Sequence, residues 1–183
     1  MQPGGPPVRV TGMTMVQGAA VVEQTPTGDF DAFYARTAPS VVRQLHAMTG
    51  DLLEAQDCVQ EAYARAWQRW STVSTYNVPE AWVRTVAWRL AVSRFRRARV
   101  GIGLLRRTGP PPDVPALEPD RVALVAALRQ LPEAQRRAIV LHHLGGLSVD
   151  EVAAETHAPS GTVKARLSRG RAALAALLED DRD

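Results

Sequence analysis

Between Ser160 and Leu178 the only charged residues are Lys164, Arg166, Arg169 and Arg171, and they are interleaved with the hydroxyls of Ser160, Thr162 and Ser168. Guanidinium forks match phosphates and guanine edges, and hydroxyls bond phosphate or base, so this mixture suits duplex nucleic acid. A helix with Val163, Leu167, Gly170, Leu174 and Leu177 turned inward would present Thr162, Lys164, Ala165, Arg166, Ser168 and Arg169 on its other side. A second cationic stretch sets one acid, Glu80, against Arg84, Arg89, Arg94, Arg96, Arg97, Arg99, Arg106 and Arg107. The reverse holds from Asp51 to Glu61, where Asp51, Glu54, Asp57 and Glu61 meet no base. Two basic surfaces suggest two contacts with a polyanion, and an acidic one between them would repel it.

Other chemistries find little support. No Gly-rich phosphate loop, no nucleophile with base and acid, and no carboxylate pair in an evident pocket is legible, so no enzyme and no cofactor are expected. His142 and His143 are adjacent and would point apart on a helix; with His46 and His157 they give no ligand spacing, and no metal is expected. The single Cys58 excludes a disulfide framework within one chain and a Cys-rich zinc site, and reads as a small packed side chain. Lys164 is the only lysine, a bias that phosphate chemistry or a GC-rich genome would produce equally. No apolar run approaches the roughly 20 residues of a membrane span, and the start lacks signal-peptide order. A cytoplasmic protein without direct membrane insertion is expected.

These surfaces must be carried by helices. The chain has 183 residues, 45% hydrophobic and only 5% aromatic, with a net charge of +3, enough for aliphatic cores in one or two small domains. Residues 1–28 hold four prolines without periodicity and read as a mobile segment, and residues 100–119, with five prolines, as a linker. Two helical pieces remain, 29–99 and 120–178, followed by an acidic tail, 179–183. In the first, Phe30, Phe33, Tyr34, Val41, Leu45 and Met48 recur at helical spacing, with Pro39 expected to kink or break the run. Asp51 and Glu54 have capping-box spacing, and Pro79 suits a first helical turn. In the second, Pro132 opens a helix that Gly145 and Gly146 end, Ser148 and Glu151 form another capping box, and Ser160 can cap the last helix. The helix from Val149, a turn with Pro159 and Gly161, and the basic helix make a helix-turn-helix, with Ala153 and Ala154 allowing a close crossing. No window alternates with period two. The expected fold is all-α, two small helical domains joined by a Pro-rich linker.

At this point a family becomes visible. The segment LRQLPEAQRRAIVLHHLGGLSVDEVAAETHAPSGTVKARLSRGRAAL resembles region 4 of an extracytoplasmic-function (ECF) sigma factor of bacterial RNA polymerase, through its LP start, L-S-x-x-E-V-A entry and G-T-V-K-x-R-L-x-R-x-R run. FDAFYARTAPSVVRQLHAMTGD, EAQDCVQEAYARAWQRW and PEAWVRTVAWRLAVSRFRR resemble three successive parts of region 2. The implied function is to bind core polymerase, direct it to specific promoters and help melt the minus-ten element. The resemblance implies that Glu54, Asp57, Gln60 and Glu61 meet the clamp coiled coil of the largest subunit, and that the second domain meets the flap of the second-largest. It assigns minus-ten DNA to Ser74, Tyr76, Asn77, Arg84, Trp88, Arg94 and Arg97. Minus-thirty-five DNA falls to Ser160, Thr162, Lys164, Ala165, Arg166, Ser168 and Arg169. An anti-sigma factor is a further implied partner. Where the family pattern has Asn and Asp, this chain has Arg89 and Ser93. Among the aromatics, Trp67 and Trp82 are expected in the core and Trp88 and Tyr76 exposed to bases. A stand-alone helix-turn-helix regulator dimerising through the first piece is the rival reading.

Overall fold

Asp51 forms half of the capping box its spacing suggested: its side chain accepts from the Glu54 N–H at 3.0 Å and opens a helix, while its own N–H donates to Thr49 Oγ1 at 3.3 Å and the Glu54 carboxylate turns to Arg94. The computed structural model describes residues 26–100 and 119–180. The expected N-terminal segment, linker and acidic tail therefore fall largely outside the described residues. Helix α1 (Pro26–Thr49) is followed by α2 (Leu52–Gln68), the short α3 (Trp70–Val73) and α4 (Pro79–Val100). Then come α5 (Pro119–Gln130), α6 (Glu133–Ile139), which continues as a π-helical turn (Val140–Leu144), α7 (Val149–Thr156) and α8 (Ser160–Asp180). Among the described residues there is no strand.

The turn from α1 to α2 is Gly50 and Asp51. Gly50 takes φ +76°, open to glycine without strain, and its N–H closes on the His46 carbonyl at 2.7 Å. So short a connection folds α2 back along α1. Phe30, Phe33, Val41, Leu45, Val59, Tyr63 and Val83 form the first core, with Trp70 edge-on to Phe30 at 5.3 Å. Thr37 bridges the two helices inside that core. Its hydroxyl donates to the Phe33 carbonyl at 2.7 Å, so the phenol of Tyr63, 2.6 Å away, must be the donor to Thr37. Burial pushes that phenol up to about 12 and keeps it protonated.

Leu128, Leu131, Ile139, Leu141, Leu147, Val152, Val163 and Leu167 form a second core. Ala47 and Met48, from the end of α1, are buried in it, and Trp88 of α4 packs against both cores. Gly170 makes the α6 and α8 crossing close: a Cβ there would sit 3.0 Å from Ile139 Cγ1.

Pro39 does not break α1, which runs unbroken from Pro26 to Thr49. Both Pro39 and Ala35, whose carbonyl loses its usual donor, are exposed, so that carbonyl can bond water instead. Ser160 is the first residue of α8, and the first turn closes with the Val163 N–H on the Pro159 carbonyl at 3.1 Å. The run after Pro132 changes from α to π hydrogen bonding at Val140, which periodicity could not reveal.

Candidate nucleic-acid interface

The helix-turn-helix is built locally. Ser148 accepts from the Glu151 N–H at 3.2 Å while Glu151 accepts from the Ser148 N–H at 2.8 Å, a complete capping box at the start of α7. The Ser148 N–H holds the Glu151 carboxyl below its usual range. At the other end His157 adopts φ 51°, ψ 44°, and the Ala158 N–H returns to the Ala153 carbonyl at 3.0 Å, which reverses the chain toward α8. Val152, Val163 and Leu167 are buried between the helices and Ala153 packs beside them, while Ala154 stays exposed. With that side turned in, Ser160, Lys164, Ala165, Ser168 and Arg169 are exposed and Thr162 and Arg166 half-buried. The charged residues of this outer face, Lys164, Arg166 and Arg169, are all cationic.

In the first core's periphery, Ser74, Tyr76 and Asn77 lie exposed on the loop between α3 and α4, Tyr76 with 43% of its surface open. Arg97 is exposed on α4 and its Nε donates back to the Ser93 carbonyl at 3.4 Å. The other three expected minus-ten residues are placed differently. Arg84 is buried: its Nη2 meets Glu155 of α7 at 2.9 Å and its Nη1 meets Glu80 at 2.9 Å. Trp88 is half-buried, not exposed, because Arg137 of α6 lies 5.2 Å over its ring. Arg94 bonds Glu61 at 2.8 Å and Glu54 at 3.3 Å, so its charge is met by carboxylates of α2. Trp67 reverses the opposite expectation: it is 58% exposed, on the side of α2 that neither core covers, whereas Trp82 does pack against the first core.

On α2 itself, Asp57 and Gln60 are exposed and Glu54 and Glu61 half-buried. Hydrogen bonding from Arg94, with Arg65 adding to it, holds the Glu61 carboxyl below the usual carboxylate range. Burial works against the Arg94 charge, but its bond to Glu61 and the neighbouring Glu54 outweigh it and raise its pKa. Cys58 is fully buried and donates to Glu54 Oε1 at 3.3 Å; burial, with that bond, pushes the thiol up to about 12 and keeps it from acting as a thiolate. His142 Nδ1 lies 2.6 Å from the Leu147 carbonyl, and no group of three or more possible ligands gathers around a metal position among the described residues.

An acid-free, cationic outer face on one helical unit and an α4 arginine helix backed by an acidic α2 on the other thus occur in one chain. Residues 33–100 match the family described as Sigma-70 region 2, and residues 121–174 match Sigma-70, region 4. The ECF RNA polymerase sigma factor SigL of Mycobacterium tuberculosis is 32% identical over 175 residues, covering 92% of this chain and 97% of SigL. The chain belongs to the ECF sigma factors of RNA polymerase. The ECF RNA polymerase sigma-E factor of Escherichia coli is 31% identical, with 84% of this chain and 90% of that protein covered. The solved structure of the sigma factor RpoE with the anti-sigma factor NepR from Bartonella quintana superimposes with a TM-score of 0.70 at 26% identity, over 82% of this chain and 97% of that one. As an ECF sigma factor, the chain is a transcription initiation factor that directs RNA polymerase to promoters, and none of its described helices is long and apolar enough to cross a membrane.

Glu155 and Arg137 are the site residues that sequence reasoning missed in this sigma factor. Their signal was faint: each is a single charge on a helix, and only the partner helix reveals what it faces. Trp67 was visible in the sequence but assigned to the wrong side.

Proposed function

We propose that this sigma factor works as two helical units, 29–99 and 120–178, joined by the Pro-rich stretch 100–119 and divided by charge. The observation that carries the reading is the segregation of exposed groups: Asp57, with the neutral Gln60 near it, on α2 against Lys164 and Arg169 on the acid-free outer face of α8. Glu54, Asp57, Gln60 and Glu61 suit a basic coiled coil on the polymerase clamp; Arg94 and Arg65 offset Glu54 and Glu61, so Asp57 supplies the net negative charge of that set. Ser160, Thr162, Lys164, Ala165, Arg166, Ser168 and Arg169 suit the minus-thirty-five major groove, read by the second helix of the motif. Ser74, Tyr76, Asn77 and Arg97 suit an unstacked minus-ten strand, with Tyr76 offering a face to a base and Asn77 an edge. Arg84, Trp88 and Arg94 reach that strand only if their present partners let go.

The flap of the second-largest subunit has a fitting seat as well. Leu124, Leu128, Ile139, Leu144, Leu174 and Leu178 line an apolar groove of ≈ 330 Å³, bordered by His143 and Arg171. A short apolar helix is the occupant such a groove takes. The chain acts in the cytoplasm without catalysis of its own, since the chemistry belongs to the polymerase. The NepR complex of the Bartonella relative supports an anti-sigma partner here too.

The test is reconstitution of the purified chain with core polymerase on genomic fragments. Discrete promoter-specific transcripts that need the chain are expected. Tight palindromic DNA binding without polymerase, and no transcripts, would instead identify a stand-alone regulator.

A further inference from the structure

Trp67 of α2 is 58% exposed and Tyr34 of α1 42% exposed, and a groove of ≈ 330 Å³ runs between them. Phe30, Tyr34, Tyr63 and Trp67 give it aromatic walls, with Asp31 and Gln60 exposed at its rim. Tyr63 stands edge-on to Tyr34 at 4.9 Å, so the Tyr34 ring is propped from the core side while its other side stays open. Single exposed aromatics are ordinary, but two that face one apolar groove mark a docking surface.

We propose that the chain's own residues 13–22, MTMVQGAAVV, which lie outside the described residues, occupy this groove in the free protein, with Val21 and Val22 against Tyr34 and Trp67. Position argues for this occupant. The chain enters α1 at Pro26, and Phe30 of the groove is four residues on, about 6 Å along the helix axis. Glu23, Gln24 and Thr25 separate Val22 from Pro26, a reach of at most about 14 Å, so the apolar run begins beside the groove. Composition argues the same way. Residues 10–22 contain no charge and no proline, and their lack of helical periodicity suits an extended segment laid over apolar walls. Such a segment needs partners for its backbone groups: the Asp31 carboxylate can accept from an N–H, and the Gln60 amide can both donate and accept. The covalent tie adds the rest. A short tether holds the segment at an effective concentration on the order of millimolar, so a contact too weak to hold a free peptide still fills the groove.

Gln60 lines the groove and also belongs to the α2 set that suits the polymerase clamp, so the docked segment covers part of that face. This consequence rests on the clamp reading above and names its regulation: the segment and the polymerase compete for α2, and the clamp must displace residues 13–22.

The experiment uses the full chain labelled with fluorotryptophan, Trp67→Phe identifying the Trp67 resonance among the four tryptophans. The shift of that fluorine signal between light and heavy water reads its exposure. In the unmodified chain the shift should be small. Val21→Asp with Val22→Asp should raise it to that of an exposed indole, with helicity by circular dichroism unchanged and core polymerase bound about tenfold more tightly, the factor expected if the groove is filled about nine-tenths of the time. Should that variant lose helicity, deletion of residues 1–22 serves instead, and deletion of residues 1–12, which spares MTMVQGAAVV, should change nothing. A large shift in the unmodified chain, a shift unmoved by the double substitution, or an equal effect of deleting residues 1–12 overturns the proposal. So does a shift that falls as protein concentration rises, which would make a second copy the occupant. Trp67 uncovered by the substitutions with core binding unmoved would support the docking and count against the clamp reading alone, since the fluorine signal is read without polymerase.

Discussion

Arg94 and Arg97 lie three residues apart on the same arginine-rich helix, yet their surroundings predict different behaviour toward DNA. Arg94 is held by Glu61 at 2.8 Å and Glu54 at 3.3 Å, and Arg65 pairs with Glu61, so two cations face two carboxylates and the cluster is neutral. Arg97 is exposed and no carboxylate pairs with it among the described residues. Each phosphate contact contributes about 0.9 to the slope of log affinity against log salt, so between 50 and 200 mM salt one contact is a factor of about 3.5. Arg97→Ala should remove about one such contact from the holoenzyme's promoter complex. Arg94→Ala should leave the slope unchanged and act on the fold instead. Its two ion pairs, each about one third exposed, are screened by water and together contribute about 1 kcal/mol. The assay is promoter binding by reconstituted holoenzyme across salt, beside urea unfolding of each free variant. If Arg94→Ala flattens the slope as much as Arg97→Ala and leaves stability untouched, the ion-pair reasoning is wrong.

The same cluster has an acid limb: Glu61 is held below the ordinary carboxylate range, so its contribution is present above the unfolded value near 4.5 and is lost as pH falls through the lower folded value. Glu61→Gln should flatten stability against pH in that window, read by thermal unfolding from pH 6 to 3. Thr37→Val leaves the buried Tyr63 phenol without its acceptor and should cost about 1–3 kcal/mol, while adding Tyr63→Phe should recover most of it; a double variant less stable than Thr37→Val would refute the donor assignment. Gly145→Ala places a Cβ 2.5 Å from the Leu141 carbonyl and should cost about 1–3 kcal/mol in urea unfolding. Arg169→Ala should weaken minus-thirty-five duplex binding by holoenzyme and reduce its salt slope by about 1, and an identical slope would take Arg169 out of the phosphate contacts.

Much of the fold was legible because its signals are local. Asp51 three residues before Glu54, Ser148 three before Glu151, and Pro79 at a first turn each satisfy backbone groups within one turn of helix, so spacing alone finds them. The inward stripe of α8 was readable for the same reason: once Val163, Leu167 and Gly170 are buried, the helical period dictates that Lys164, Ala165 and Ser168 face out. The uneven distribution of charge needed no structure, and with the motif it carried the family.

Periodicity says which residues share a face of a helix, but not which other helix covers that face. Trp67 and Trp88 show the gap: either could have been core, and the choice fell to what lay above them, Arg137 of α6 over Trp88 and, among the described residues, no such cation over Trp67. Arg84 and Arg94 show it for charge. A run of arginines looks uniform in sequence, but Glu155, 71 positions away, buries one, and Glu54 and Glu61, 40 and 33 positions away, hold the other. Ion pairing depends on distances of a few ångströms between side chains far apart in the chain. The amino-acid order determined the helices, their caps and the sign of each surface; only the packing of helix on helix, within a unit for Arg94 and between units for Arg84, decided which of those charges remain unpaired.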